Sequence, residues 1–205
     1  MSGEGQGILP SRQWKQAVHN EPWYQGETVI AGIGQGFNVV TPLQLANGIA
    51  TLVNGGTRYS PRLLYASKPA GVERAKRLRA PVEMQVPVKD PQDWQTILEG
   101  MSQVVNGVRG TARLIAVDSK YRIAGKSGTA QVYQHGIEEK HEDSEVAESL
   151  RNHALFVAFA PFDEPRIAIA VVVEHGGGGS SVAAPVARAT LDVWLDQEMD
   201  RGFVK

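Results

Sequence analysis

The spacing of apolar positions changes along this chain, and each change predicts an element. Residues 1–40 keep no sustained apolar period, are rich in Gly and polar side chains, and contain Gly32-Ile33-Gly34-Gln35-Gly36, which predicts loop. Thr41 then offers an N-cap, Pro42 a first helical position and Gln44 the partner of a capping box. Leu45, Ile49, Leu52 and Val53 follow at helical spacing, and Gly55-Gly56 stops the helix. Residues 57–89 mix Pro, Arg and Lys with short apolar runs such as Arg62-Leu63-Leu64-Tyr65, the pattern of short connecting strands and surface loops. Asp90 and Pro91 open a clearer helix, with Trp94, Ile97, Leu98, Met101, Val104 and Val105 on one face and Gly107 as its stop. Gly110-Thr111 begins a short helical stretch through Ala112, Leu114 and Ile115.

From Tyr121 the pattern becomes that of a strand. Ile123-Ala124 lead into Gly125-Lys126-Ser127-Gly128-Thr129-Ala130-Gln131-Val132-Tyr133, and a polar insertion, 134–152, follows. Residues 154–160 and 167–173 are nearly continuous apolar runs joined by Pro161-Phe162-Asp163-Glu164-Pro165, which predicts a hairpin whose strands lie deep in one sheet, buried on both faces. The glycines at 176–179 end the last strand, with a flexible rim of a cleft as the functional alternative. After Pro185, Val186, Ala189, Thr190, Val193 and Trp194 recur at helical spacing and predict a closing helix over the sheet. With no internal repeat and no linker, the order of elements predicts an α/β chain of the α+β type, an antiparallel-rich sheet flanked by helices.

Composition narrows the function classes. A chain of 205 residues that is 42% hydrophobic can bury a sizeable core. Its formal charge of -1, with both signs scattered, provides no basic stripe to grip phosphates, so nucleic acid is not expected as a partner. The absence of cysteine excludes disulfides, thiolate metal sites and a cysteine nucleophile. Apolar runs such as 167–173 fall far short of the ~20 residues that span a bilayer, and the N-terminus has no cationic-then-apolar signal, so no membrane segment is expected in this chain.

The candidate chemistry sits at Lys126-Ser127-Gly128-Thr129. A cation and two hydroxyls in succession make an anion-attracting strip, Gly128 lets a ligand backbone approach with no Cβ in the way, and such a strand can pair with an extended peptide. These four residue types also suit a solvated turn between two strands, so the segment alone does not decide.

Longer stretches do carry a resemblance. Trp23-Tyr24-Gln25-Gly26, Gly32-Ile33-Gly34-Gln35-Gly36, Thr41-Pro42-Leu43-Gln44, Ala124-Gly125-Lys126-Ser127-Gly128-Thr129-Ala130-Gln131, and Leu150-Arg151-Asn152-His153 running into Ala158-Phe159-Ala160-Pro161 occur in one order over nearly the whole chain. Together they resemble the class B penicillin-binding proteins, the peptidoglycan D,D-transpeptidases, and within them the elongation-machinery branch. The resemblance implies that residues 1–205 are the C-terminal portion of a single transpeptidase domain: loop and helix over 1–56, connecting strands and helices over 57–120, and sheet strands with a closing helix over 121–205.

That family surrounds its cleft with S-x-x-K, S-x-N and K-[ST]-G. Only the third occurs here: no serine has lysine three places on or asparagine two places on. The expectation is that the serine nucleophile, its lysine base and the middle motif lie upstream of Met1, and that this chain alone is inactive. By resemblance, Lys126 polarises the site and attracts the substrate carboxylate, the hydroxyls of Ser127 and Thr129 bind it, and the Thr129 N–H is one of two oxyanion donors. Gly128, Ala130 and Gln131 complete the substrate-binding strand. The resemblance implies peptidoglycan stem peptides and β-lactams as ligands, no cofactor, a membrane glycan polymerase as partner of the parent protein, and a place at the periplasmic face of the bacterial inner membrane. The alternatives are a non-catalytic module that binds cell-wall peptides, or an inactive truncated product.

Other motifs are weaker. A phosphate loop ending in Gly125-Lys126-Ser127 needs glycine at position 120, which is Lys120, and the glycines at 32–36 lack the G-x-G-x-x-G spacing, so a tight loop at the entrance of the next helix accounts for them better. His135, His141 and His153 with Glu138, Glu139 and Asp143 match no zinc spacing and read as a solvated insertion, with His153 as a hydrogen-bonded structural residue. Trp14, Trp23, Trp94 and Trp194 are too dispersed for a sugar-binding stack, and the last two suit helix-to-sheet packing.

Overall fold

The computed structural model describes residues 3–68, 70–71, 73, 76–131 and 151–200, the side chains of 198–200 excepted. The chain divides into two compact units, Met1–Gln44 and Leu45–Lys205.

The first unit contains helices where the sequence predicts loop. α1 spans Arg12–His19 and α2 spans Gln25–Gly32, and an antiparallel bridge between Ile8 and Val39 closes the segment. Local capping nucleates α1. Ser11 Oγ accepts from the Trp14 N–H at 3.0 Å, and Asn20 ends the helix in the left-handed region at φ 55°. Both helices are only eight residues long, below the length at which periodicity separates from a polar background. Gly32 closes α2, and Gly34 and Gly36 turn with φ of +77° and +76°, so the glycine run is the exit of α2. Lys15 is 2% exposed, with Nζ 2.5 Å from Glu27 Oε1, 3.4 Å from Glu21 Oε2 and 4.3 Å from the centre of the Tyr24 ring. Trp14, His19 and Phe37 pack together at ring-centre distances of 5.0–5.2 Å.

The expected capping box forms at Thr41. Gln44 N–H donates to Thr41 Oγ1 at 3.1 Å, and Gln44 Oε1 accepts from the Thr41 N–H at 2.9 Å. Helix α3, Pro42–Val53, follows, and Gly55 and Gly56 end it with positive φ.

In the second unit residues 57–89 hold short strands, as the sequence predicts, and these join in two small antiparallel pairs. β1, Thr57–Tyr59, pairs with β4, Val82–Gln85, and β2, Ala66–Ser67, pairs with β3, Lys76–Arg77. Helix α4, Pro91–Asn106, starts at an Asp90 cap that accepts from the Gln92 N–H at 2.8 Å. Met101 and Val105 are buried, but Ile97 is half exposed, and Ser102, absent from the predicted face, is fully buried. A turn of 3-10 helix, Arg113–Ala116, takes the place of the short helical stretch.

The main sheet has the order β5-β6-β7, all antiparallel, with β5 at Ala124–Ala130, β6 at His153–Ala160 and β7 at Ile167–Val173. β6 is the buried centre of the hairpin, whereas β7 is only half-buried because it forms the other edge among the described residues. One face of the sheet carries Ala154, Phe156, Ala158 and Ala160 into a core with Val105, Ile123, Ala187 and Leu191. The opposite face carries Ala124 and Phe159 against Met101, Ile49, Leu52 and Leu98. Burying a large apolar side chain contributes about 1.5–3 kcal/mol, against about 1 kcal/mol for a helix cap, so this double-sided core outweighs the local capping signals.

Helix α5, Ala184–Asp200, closes the sheet as expected, after one π-helical turn, Gly179–Ala183, but on a different face. Ala184, Ala187, Leu191 and Leu195 are buried, while Val186 and Val193 are 47% and 60% exposed. Small alanines let the helix backbone come close to the sheet, a packing reason that hydrophobicity ranking alone does not reveal. The expected mixed fold, antiparallel sheet with flanking helices, is the one observed. Among the described residues no helix is long and apolar enough to cross a membrane.

Candidate active site

β5 carries the Lys-Ser-Gly-Thr segment, and side chains just before it fix where it starts. Asn106 Nδ2 donates to the Ile123 carbonyl at 2.7 Å, and Arg122 Nη2 donates to the buried Ser102 Oγ at 3.1 Å, tying the strand's lead-in to α4. Arg122 also pairs with Asp163 at 3.0 Å, and its guanidinium lies 4.4 Å from the centre of the Phe162 ring. On the other side Tyr121 donates to Asp192 at 2.7 Å, and Arg188 clamps the same carboxylate while donating to the Ile115 and Val117 carbonyls. Burial, the hydrogen bond to Asp192 and the charge of that carboxylate raise the Tyr121 hydroxyl well above its ordinary value, so it stays protonated and can donate to Asp192. Burial opposes ionisation of Asp192, but the hydrogen bonds from Tyr121 and Arg188 outweigh it and hold the carboxyl below its ordinary value.

The register sets which residues share a face. Lys126 pairs with Val157, Ser127 with Phe156, Gly128 with Leu155, Thr129 with Ala154 and Ala130 with His153. Strand alternation therefore puts Lys126 and Gly128 on the face of Ala124, and Ser127 and Thr129 on the opposite face, that of Phe156. Lys126 is exposed, its Nζ donating to the Ser127 carbonyl at 2.7 Å; Ser127 is half-buried and Thr129 exposed. Gln131 lies exposed just past the strand. Among the described residues β5 has β6 as its neighbour on one side and none on the other, so the candidate residues sit along an edge of the sheet, where a strand-like ligand can add by main-chain hydrogen bonds in the plane of the sheet.

The glycines here have packing reasons that sequence reasoning missed. A Cβ on Gly125 would fall 2.7 Å from Phe156 Cζ and 2.7 Å from the Val157 carbonyl oxygen. On Gly128 it would press Leu155 Cβ at 3.3 Å. The run at 176–179 does more than end a strand. A Cβ on Gly179 would fall 2.5 Å from the Gly128 carbonyl oxygen, so this segment rests directly on the motif strand's backbone. His175, at φ 54°, holds the near end of the run: its N–H donates to His153 Nδ1 at 2.9 Å, and its own Nδ1 lies 3.2 Å from the Arg151 carbonyl. His153 is thus the hydrogen-bonded structural residue the sequence suggests, with its proton on Nε2. The only signal for Gly179 was four glycines in a row, and none existed for His175. His135, His141, Glu138, Glu139 and Asp143 lie outside the described residues. Trp94 packs on a helix end, its Nε1 donating to the Leu52 carbonyl at 2.5 Å, while Trp194 lies against the sheet core.

Comparison with known proteins points in one direction. The family model described as penicillin binding protein transpeptidase domain matches residues 1–192. The peptidoglycan D,D-transpeptidase MrdA of Haemophilus influenzae is 40% identical over 191 residues, which make up 93% of this chain and 29% of that relative. The crystal structure of Pseudomonas aeruginosa PBP2 in complex with WCK 5153 superposes with a TM-score of 0.73 at 42% identity, covering 95% of this chain and 39% of that one. A structure described as showing structural coordination of polymerization and crosslinking by a peptidoglycan synthase complex has a TM-score of 0.68 at 32% identity, covering 91% of this chain and 28% of that one. The chain thus spans about a third of the length of the relatives it matches.

Proposed function

Because this chain belongs to the penicillin-binding protein transpeptidase family, we propose that the protein it is part of is a serine D,D-transpeptidase that cross-links peptidoglycan stem peptides and is acylated by β-lactams. The observation that carries this reading is a Lys-Ser-Gly-Thr segment on an edge strand, inside a chain that matches the family over residues 1–192.

In this reaction a serine hydroxyl, relieved of its proton by a lysine, attacks the penultimate D-Ala carbonyl; the terminal D-Ala leaves with a proton, and an amine acceptor resolves the acyl-enzyme. The serine, its base and the S-x-N motif come from outside these 205 residues, none of which forms those motifs. β5 supplies recognition. Lys126 attracts the substrate carboxylate, the hydroxyls of Ser127 and Thr129 bind it, and the Thr129 N–H is one of two oxyanion donors. The stem peptide lies along Gly128, Ala130 and Gln131 as an added strand. The reaction needs no cofactor. By likeness to relatives named MrdA and PBP2, the protein works in wall elongation at the periplasmic face of the inner membrane, beside a glycan polymerase.

The test uses the whole protein. Its coding frame should contain S-x-x-K and S-x-N ahead of this chain, and the purified protein should form a covalent adduct with a fluorescent penicillin. A frame with neither motif and a protein that takes no label would end the transpeptidase reading. Saturable binding of a D-Ala-D-Ala peptide without turnover, lost on Lys126→Ala, would then identify a binding module.

A further inference from the structure

The two small sheets line a cavity of about 720 Å3 that contains none of the β5 motif. Arg62, Arg77 and Arg79 line it together with Tyr59 and Tyr65, and among the described residues none that lines it is acidic. The Arg77 guanidinium carbon stands 5.3 Å from the centre of the Tyr65 ring, which steadies it. Elsewhere in this unit Arg58 pairs with Glu83, Lys120 with Asp196, Arg122 with Asp163, Arg166 with Glu164 and Arg188 with Asp192. Arg62 and Arg79 have no such carboxylate among the described residues. Like charges gathered around one concavity repel unless an anion joins them, and guanidinium forks bind carboxylate or phosphate oxygens in pairs. Aromatic walls beside the forks favour a flat or ring-bearing ligand.

We propose that the Arg62-Arg77-Arg79 cavity is an anion-binding site for a small ligand with two or more oxyanion groups, carboxylate or phosphate, and a flat portion that rests on Tyr59 and Tyr65. The site is independent of the transpeptidase reading, because none of the β5 residues lines it.

Calorimetric titration of the full-length protein with inorganic pyrophosphate and, separately, with tricarballylate tests it. The expected result is saturable one-to-one binding of at least one probe. That binding should weaken at least tenfold in the Arg62→Gln/Arg79→Gln variant and also on raising salt from about 20 to about 200 mM, where exposed charges are screened. Preference for pyrophosphate assigns a phosphate ligand, and preference for tricarballylate a carboxylate one. The variant should keep the wild-type melting temperature and rate of penicillin labelling. Absence of binding by both probes overturns the proposal, as does equal binding to a folded variant. Loss of binding on Lys126→Ala also overturns it, since the anion would then occupy the transpeptidase cleft.

Discussion

Gly179 lies against the backbone of Gly128, so close that a Cβ on Gly179 would stand 2.5 Å from the Gly128 carbonyl oxygen. The loop that leaves β7 therefore supports the motif strand from within the fold. Because backbone rather than a flexible side chain opposes the added methyl, relief requires the strand or the loop to move.

Gly179→Ala is accordingly expected to slow acylation of the whole protein by a fluorescent penicillin at least tenfold, because small misplacements of catalytic geometry cost about that much or more. The melting temperature should also fall. Wild-type labelling kinetics in this variant would show that the contact does not position β5.

Lys126 offers the complementary case, a side chain exposed and free of core packing. Lys126→Ala should lower penicillin acylation about a hundredfold to a thousandfold, the range for removing a group that stabilises developing charge, while stability shifts by no more than about 0.5 kcal/mol. Labelling time courses alongside a melt separate the two effects.

The buried Lys15 pair makes stability depend on pH. Glu27 is held below its ordinary 4.5 by the hydrogen bond from Lys15 and by the Tyr24 N–H. Lys15 is pushed down by burial but raised more by its bonds to Glu27 and Glu21, and ends above 10.5. A depressed carboxyl stabilises the fold fully above its unfolded pKa and loses that contribution as pH falls through the folded one. A raised ammonium stabilises fully below its unfolded pKa and loses that contribution as pH rises through the folded one. The gap in melting temperature between wild type and Glu27→Gln should be flat from roughly pH 6 to 9 and close as pH falls below 4.5. A gap that persists unchanged into acid would refute the ion-pair origin.

The packing face of α5 is testable by size. Ala187 is fully buried, whereas Val186 is 47% exposed. Ala187→Leu should destabilise by about 1–3 kcal/mol through overpacking, and Val186→Ala by less than about 0.5 kcal/mol. Denaturant midpoints with the reverse ranking would put the helix on the face its larger apolar residues suggest.

The sequence by itself determined whatever short-range chemistry encodes. The Thr41-Gln44 capping box, the Asp90 cap with Pro91, the hairpin runs at 154–160 and 167–173 and the Lys126-to-Thr129 strand each rest on neighbours a few residues apart, and all are present. The structure alone decided what depends on distant partners. On α5 Ala184, Ala187, Leu191 and Leu195 face the core and Val186 and Val193 do not, a choice set by where the helix meets the sheet. Ser102 is buried and the exposed Asn106 reaches across to hold the lead-in to β5, a requirement set by Arg122 and Ile123. The short helices α1 and α2 were hidden because eight residues show little period, and the buried Lys15–Glu27 pair joins them across 12 positions. Gly179 needs to be glycine only because chain folding sets it on Gly128, 51 residues earlier in sequence, and a local pattern has no access to a contact that exists only after the sheet has formed.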